Sequence, residues 1–443
     1  MKRIPFLIVM MLIVGLLAAC GASNNEEQAG SSPSPSQKVE GSDQEADTNK
    51  KFTLKIVSSG NSDDGLDIAT EIYKRTYPNA TIEVITSPWG DGGQEMRNKE
   101  LILLSSGQAP DIGKMVWGKE FFKSGVLEDI TDEVKTWEIY SKLSEGQKQR
   151  ITYKDKIFGI TMGNNSIYLF YNKDILSKVG VTEPPKTIEE LTAIAKAIKD
   201  QNLKTDDGKP IYATNFEGGN WATDYWLWSN GGQQMNEDYT KTLIDSPESI
   251  AAFQMMGDFV KNGWAPKVDG TYDQMWLNGQ IAFFPTGDWG IASSVDAGIN
   301  VGYALMPAGS SGQSITSLGG VEWGVFKNSN NKKEALDFLK VMVSDEYQMK
   351  FSRGVTDLAM YDNAEKQAAW KEEGALEAKL ALRDQMRDSK YNFLEAPYLY
   401  PDGAKVYKQA LERVLVGLED PEKVMKEAAV QINKGIEEAL QAE

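Results

Sequence analysis

The chain has 443 residues, a formal net charge of −17, no histidine and one cysteine. The acidic balance argues against nucleic-acid binding, which needs basic patches. The missing histidine excludes Ser-His-Asp and Cys-His catalysis and imidazole metal sites, and the single cysteine excludes an internal disulfide. We therefore predict no metal site and no cofactor, while a structural calcium ion stays an open question.

The N-terminus has the layout of a secretory signal. Lys2 and Arg3 precede an apolar run over 6–19, which is shorter than the roughly 20 residues of a membrane-spanning helix. The sequence Leu17-Ala18-Ala19-Cys20 resembles the bacterial lipobox, in which the cysteine is lipidated and becomes the N-terminus. We predict a lipoprotein signal peptide over 1–19 and lipidation at Cys20. An ordinary signal peptide with an incidental cysteine is the alternative.

A polar segment follows over 20–50. It is rich in Gly, Ser, Asn, Glu, Gln and Pro and has almost no large apolar residues. Such a composition cannot bury enough surface to fold, so we predict a flexible tether between the lipid anchor and the folded part. The folded part begins near Phe52.

The first folded residues alternate strands and helices. The predicted elements are a strand over 52–58, a helix over 68–77, a strand over 80–86, a helix over 96–105 and a strand over 110–117. This order is typical of a parallel α/β sheet, whose ligand crevice lies beyond the carboxyl ends of the strands. Four binding candidates sit just past those ends: Asn61, Asp63, Trp89 and Trp117.

Later elements have clear start signals. Thr187 and Glu190 form a capping box before a helix, and Ser246-Pro247 caps another. The remaining predictions are a buried strand over 281–284, a turn over 285–290 that opens a helix, and a helix over 331–342. A last helix begins at Asp420-Pro421 and carries Val424, Ala428, Ile432, Ile436 and Leu440 along one face.

The stretch 220–232 concentrates aromatic residues. Trp221, Tyr225 and Trp228 recur at helical spacing, which is more typical of core packing than of a binding wall. We assign Tyr225, Trp226 and Trp228 to packing. Trp221 stands at the helix start, after a glycine-containing loop, and is a candidate for ligand contact.

Short motifs in a fixed order resemble the extracellular solute-binding proteins of the maltose-binding type. The resemblance runs from about Phe52 to Leu440. The motifs are Ala109-Pro110-Asp111, Gly125–Ile130, Lys156–Ile160, Tyr171–Asp174, Pro184–Leu191, Trp228–Gly232, Phe253–Gly263, Asn278–Ala282, Gly287–Trp289, Leu305–Pro307, Gly319–Trp323 and Lys333–Leu339.

This resemblance implies a periplasmic-binding-protein-like type II fold, with two α/β lobes and a ligand cleft between them. The lobes would comprise 51–163 plus 318–354 and 164–317 plus 355–443. The chain would cross between them near Asn164–Ser166, Ser317–Gly320 and Gly354–Asp357, and the lobes would close by hinge bending.

The resemblance also implies a function. The protein would be a monomer that binds a saccharide and delivers it to the transmembrane permease subunits of an ABC importer, which work with a cytoplasmic ATPase. Its only membrane attachment would be the lipid, on the outer face of the bacterial cytoplasmic membrane. It would not be an enzyme.

A sugar cleft needs aromatic faces for C–H surfaces and amides or carboxylates for hydroxyls. Trp289 matches the family's stacking tryptophan, and its flanking glycines allow close backbone approach. Asp288 is a candidate either for bonding a hydroxyl or for capping the next helix. Asn164 and Asn165 are candidates for hinge or ligand contact. The resemblance adds Gly320, Trp323 and Tyr398.

Other readings stay open. The eight arginines favour a neutral saccharide, because arginine is the usual clamp for carboxylates, although a uronate binder could use a single Arg or Lys. A secreted glycosidase with paired carboxylates is the main alternative. A binding protein for iron, a polyamine or a peptide, and a cell-surface adhesin, are the others.

Overall fold

Two larger β-sheets organise the protein. The computed structural model describes residues 49–60, 64–90, 93–115, 118–216, 220–267, 272–351, 355–387, 390–391 and 402–441. Its strands are β1 (Phe52–Ser58), β2 (Ala80–Thr86), β3 (Ile112–Met115), β4 (Thr152–Tyr153), β5 (Lys156–Ile157), β6 (Ile160–Ser166), β7 (Tyr168–Asn172), β8 (Phe283–Thr286), β9 (Val301–Ala304), β10 (Ser317–Val325) and β11 (Lys390–Tyr391).

Helices surround these sheets. In chain order they are α1 (Leu66–Tyr73), α2 (Gln94–Ser105), α3 (Gly118–Ser124), α4 (Thr131–Val134), α5 (Glu138–Lys142), α6 (Glu145–Ile151), α7 (Lys173–Lys178), α8 (Ile188–Asp200), α9 (Asn220–Ser229), α10 (Pro247–Lys261), α11 (Tyr272–Leu277), α12 (Ile291–Asp296), α13 (Lys332–Met342), α14 (Asp345–Lys350), α15 (Ala364–Glu372), α16 (Leu376–Met386), α17 (Asp402–Leu415) and α18 (Pro421–Gln441). Two 3₁₀ turns cover Asp288–Gly290 and Leu358–Asp362. Within the described chain, no helix combines the length and the apolar character that a membrane crossing requires.

The larger sheet has the order β11-β10-β3-β1-β2, and β6 pairs with β10. Strands β1, β2 and β3 are parallel, as predicted. β10 runs antiparallel to both β3 and β6. Helix α13 packs Phe338, Leu339 and Met342 into the same core as Leu54 and Ile56 of β1. We call this sheet and its core the first lobe.

The smaller sheet has the order β8-β7-β9 and is antiparallel. One core beside it joins apolar faces of α8, α9, α10, α17 and α18, and a second joins α15 and α16 to Tyr168 and Phe170. We call this sheet and these two cores the second lobe.

Helix starts follow the predicted caps, with one correction. The Ser246 hydroxyl accepts a hydrogen bond from the Ser249 backbone N–H at 3.2 Å, and Thr187 accepts one from the Glu190 N–H at 3.2 Å. The Glu190 carboxylate accepts from the Lys186 N–H at 2.6 Å instead of from Thr187. The predicted capping box is therefore only half formed, because Glu190 reaches one residue further back.

Other element boundaries also differ from the predictions. The helix predicted over 68–77 spans Leu66–Tyr73, and residues after it turn before Pro78. The strand predicted over 281–284 spans Phe283–Thr286, because Ile281 makes only an isolated bridge with Tyr212. Leu440, predicted on the same face of α18 as four buried residues, is 37% exposed because it lies in the last turn of that helix.

Candidate functional site

The three predicted crossings meet at one place. In the antiparallel pair β6–β10, Ser166 lies opposite Leu318 and Asn165 opposite Gly319. The side-chain amide nitrogen of Asn164 donates to the carbonyl oxygens of Val355 at 2.8 Å and Thr356 at 3.1 Å. Asn164 is 2% exposed. Its buried amide group therefore links the segments of the first and third predicted crossings through these two hydrogen bonds.

Arg150 of α6 holds the segment of the second predicted crossing. Its Nε donates to the Glu322 carboxylate at 2.6 Å. Its terminal nitrogens donate to the carbonyls of Leu318 at 3.0 Å and Gly320 at 2.7 Å. Gly320 has a φ of 145°, and a Cβ atom there would lie 2.7 Å from the Gly163 carbonyl oxygen. A glycine is therefore required at position 320, where β10 lies against β6.

A cleft opens beside these crossings. It is lined by Asp64, Lys114, Met162, Gly163, Asn164, Asn165, Asp288, Trp289, Gly320, Val321, Trp323 and Phe351. Six of the predicted site residues are thus brought together: Asn164, Asn165, Asp288, Trp289, Gly320 and Trp323. That any of them contacts a ligand stays a prediction.

Asp64 and Lys114 form the first-lobe wall of the cleft, and the sequence reasoning missed both. Lys114 Nζ donates to Asp64 Oδ1 at 2.6 Å and to the Ser59 hydroxyl at 3.0 Å. Asp64 Oδ2 accepts from the Ser58 hydroxyl at 2.6 Å and the Ser59 N–H at 3.1 Å. The rule that selected Asn61 and Asp63, a polar residue just past a strand end, applies equally to Asp64. A lysine inside the otherwise apolar strand β3 was the available signal for Lys114.

Asp288 lies at the start of the 3₁₀ turn that precedes α12 and is paired with a buried lysine. Lys379 Nζ of α16 donates to Asp288 Oδ2 at 2.8 Å. The turn and α12 have no side-chain cap, so the predicted capping role for Asp288 was wrong: the carboxylate turns towards Lys379 instead. Burial raises the pKa of Tyr168 well above its ordinary value, and the neighbouring Asp288 charge acts in the same direction.

Trp289 is 48% exposed, although tryptophan is usually well buried. Its ring covers Gly287, where no side chain could fit beneath it. Trp323, by contrast, is 2% exposed and belongs to the first-lobe core, so little of its surface reaches the cleft. Trp89 is 39% exposed and stands with its ring centroid 5.2 Å from Lys114 Nζ, next to the lining residues but not among them.

The aromatic helix α9 is divided as the sequence indicated. Tyr225, Trp226 and Trp228 are at most 2% exposed, which confirms their packing role.

The other predicted residues lie outside the described part of the protein: Cys20, Asn61, Asp63, Trp117, the side chain of Trp221, Gly354 of the third predicted crossing, and Tyr398.

Comparison with known proteins identifies the family. The family model for bacterial extracellular solute-binding proteins matches residues 60–349. The chain belongs to this family. The resemblance inferred from the ordered motifs is thereby confirmed.

Relatives of this solute-binding protein are named as binding proteins. A maltotriose-binding protein of Pyrococcus abyssi is 28% identical over 48% of this chain and 45% of its own length, so the chain spans about half of that relative. A diacetylchitobiose-binding protein of Streptomyces coelicolor is 24% identical over 77% of this chain and 79% of its own length.

Solved structures establish the fold of this solute-binding protein. The cyclic α-maltosyl-1,6-maltose binding protein of Arthrobacter globiformis superposes with a TM-score of 0.74, covering 87% of this chain and 99% of that one at 21% identity. The predicted two-lobe α/β fold is confirmed by this likeness.

Proposed function

We propose that this protein is the saccharide-binding lipoprotein of an ABC importer. It captures an oligosaccharide between lobes formed by 51–163 plus 318–354 and by 164–317 plus 355–443. It then presents the closed form to the permease. Cys20 holds it, as a monomer, on the outer face of the cytoplasmic membrane.

One observation carries the choice of ligand class. The half-exposed face of Trp289 lies in the same cleft as the carboxylate of Asp288 and the amide of Asn165. An aromatic face beside hydrogen-bonding groups suits a sugar ring, which has C–H surface and hydroxyls together. The names of the two relatives, one binding maltotriose and one diacetylchitobiose, point in the same direction.

The arrangement at the crossings supports closure as the mechanism. Arg150 and Asn164 hold the three crossing segments side by side through backbone carbonyls, while the core of the first lobe shares no residue with the core around α8, α9, α10, α17 and α18. Rotation about such a narrow connection can bring the cleft walls together without repacking either core.

A thermal-shift screen over mono- and oligosaccharides tests the proposal. A ligand at 100 times its dissociation constant adds about 2.7 kcal/mol to the stability of the folded state, which gives a clear rise in melting temperature. If no saccharide raises the melting temperature, and an amino acid, peptide or polyamine does, the saccharide assignment is wrong. Release of new reducing ends from an oligosaccharide would favour the glycosidase alternative.

A further inference from the structure

We infer that the aspartate–lysine pairs Asp64–Lys114 and Asp288–Lys379 restrict the cleft to uncharged saccharides, and that the two aspartates are specificity-determining residues. The inference rests on the proposed function, to which it adds the charge class of the ligand. The protein would discriminate against acidic sugars such as uronates.

Lys114 is the one cation among the described residues that line the cleft. Its ammonium group already has a carboxylate at 2.6 Å and a hydroxyl at 3.0 Å, and the ring of Trp89 lies 5.2 Å away. The side chain is only 9% exposed. An anionic ligand would have to compete with Asp64, which the Ser58 hydroxyl and Ser59 N–H hold in place.

Lys379 sits behind Asp288 and does not line the cleft itself. The two side chains are 4% and 9% exposed, with 2.8 Å between Nζ and Oδ2. A ligand that approaches this wall meets the carboxylate of Asp288 before the ammonium group. The carboxylate of Asp288 therefore repels the carboxylate of an acidic sugar at close range, whereas a sugar hydroxyl can donate a hydrogen bond to it.

Arg150, a further cation near the cleft in the described part of the protein, is also engaged. Its side chain is 4% exposed and bonded to Glu322, and its other nitrogens donate to crossing carbonyls. A buried anion needs a partner cation, and separating an existing buried pair is costly. Among the described residues, a ligand carboxylate could reach a cation only by breaking one of these three pairs, whereas a neutral sugar leaves all of them intact.

The experiment compares neutral and acidic probes by titration calorimetry on the full mature protein. The neutral probes are maltotriose, cellotriose and xylotriose; the acidic probe is trigalacturonic acid. For wild type we expect a neutral probe to bind with little dependence on salt. We expect the acidic probe to bind at least about tenfold more weakly, because its carboxylate gains no charge-assisted hydrogen bond from a lysine that is already paired.

Asp64→Asn keeps an oxygen acceptor but removes the charge that compensates Lys114. We expect the ratio of acidic to neutral affinity to rise roughly tenfold or more, and this gain to shrink at high salt. The matched control is Asp67→Asn, which removes the same charge from the exposed first turn of α1. The control should leave the ratio unchanged. Asp288→Asn repeats the test at the second pair.

Two results would overturn the inference: wild type that binds the acidic probe as tightly as any neutral one, or folded Asp64→Asn and Asp288→Asn variants with an unchanged ratio. If neither variant folds, the wild-type comparison and its salt dependence decide alone. Wild type that binds only the acidic probe overturns the inference but spares the proposed function. Wild type that binds no saccharide contradicts the proposed function itself.

Discussion

The indole ring of Trp289 folds back over Gly287, so closely that a Cβ atom at Gly287 would overlap the six-membered part of the ring. Gly287 has an ordinary φ of −104°, so it is the ring and not the backbone conformation that requires a glycine here. This contact holds the ring at the cleft with 48% of the residue exposed.

Gly287→Ala should therefore displace the Trp289 ring without straining the backbone. Loss of an aromatic stacking surface costs about 1–3 kcal/mol, so we expect saccharide binding to weaken roughly 5- to 150-fold while the unliganded protein melts near the wild-type temperature. Calorimetric titration and melting curves measure the two effects. Gly435→Ala, in α18 where an added Cβ meets no atom within 4 Å, is the control and should bind normally. Normal binding by Gly287→Ala would contradict the role of the ring.

Trp289→Ala and Trp228→Ala should fail in different ways. Trp289→Ala removes an exposed ring and should weaken binding by about 1–3 kcal/mol with little change in melting temperature. Trp228 is 1% exposed, so Trp228→Ala leaves a cavity that costs about 3–5 kcal/mol of folding stability. The Trp228→Ala variant should melt several degrees lower, yet it should bind the saccharide nearly normally at a temperature at which it is still folded. If Trp228→Ala loses binding without losing stability, the division between core and ligand surface is wrong.

Gly320→Ala tests the crossing. The positive φ of Gly320 and the nearby Gly163 carbonyl oxygen leave no room for a Cβ atom, and strain of this kind costs on the order of 1–3 kcal/mol. We expect a lower melting temperature and a smaller ligand-induced decrease in radius of gyration by small-angle scattering. Gly435→Ala should compact like wild type. A Gly320→Ala protein that melts and compacts normally would argue against a hinge at this position.

Two buried carboxyl groups should make stability fall as pH rises. Burial raises the pKa of Glu100 and of Asp224 well above their ordinary values of 4.5 and 3.8. Above those values the unfolded chain loses both protons while the folded protein keeps them, so the unfolded state binds fewer protons and the free energy of unfolding decreases. The loss continues until the pH reaches the folded-state pKa.

Glu100→Gln and Asp224→Asn should each flatten this dependence and raise the melting temperature at neutral pH relative to wild type. Melting curves from about pH 5 to about pH 8 cover the relevant window. Glu437→Gln, at an exposed position of α18, is the control and should keep the wild-type slope. A slope that stays unchanged when Glu100 and Asp224 are replaced together would mean that other groups cause it.

Cys20→Ser tests the anchor. Without the thiol no lipid can be attached, so the protein should leave the membrane fraction for the medium or stay unprocessed. Fractionation and the mass of the mature N-terminus measure this. A variant that fractionates like wild type and is cut at the same place would contradict lipidation.

Local sequence patterns were sufficient for much of the fold. The strands 52–58 and 80–86, the helix over 331–342 and the caps at Ser246 and Thr187 were predicted from alternation, apolar spacing and capping chemistry, which act over a few residues. Errors fell at element ends such as Tyr73 and Phe283, where the limit of an element depends on its partners in the tertiary structure.

The candidate site was only partly predictable. Trp289 could be named because its motif and flanking glycines are adjacent in sequence. Asp64 and Lys114 were missed because their ion pair is evident only in the tertiary structure, which brings the two side chains together. Trp323 was named as a full candidate, yet the fold places most of its ring in the first-lobe core, which no local pattern reveals.

By itself, the sequence determined the class of protein: the order of elements, the absence of histidine and the ordered motifs all act locally or as composition. The tertiary structure alone decided which charges neutralise each other. Asp64 and Lys114 are 50 residues apart, Asp288 and Lys379 are 91 apart, and Arg150 and Glu322 are 172 apart. Ion pairs at such separations depend on how strands and helices from distant segments are brought together, and no periodicity in the chain encodes that distance.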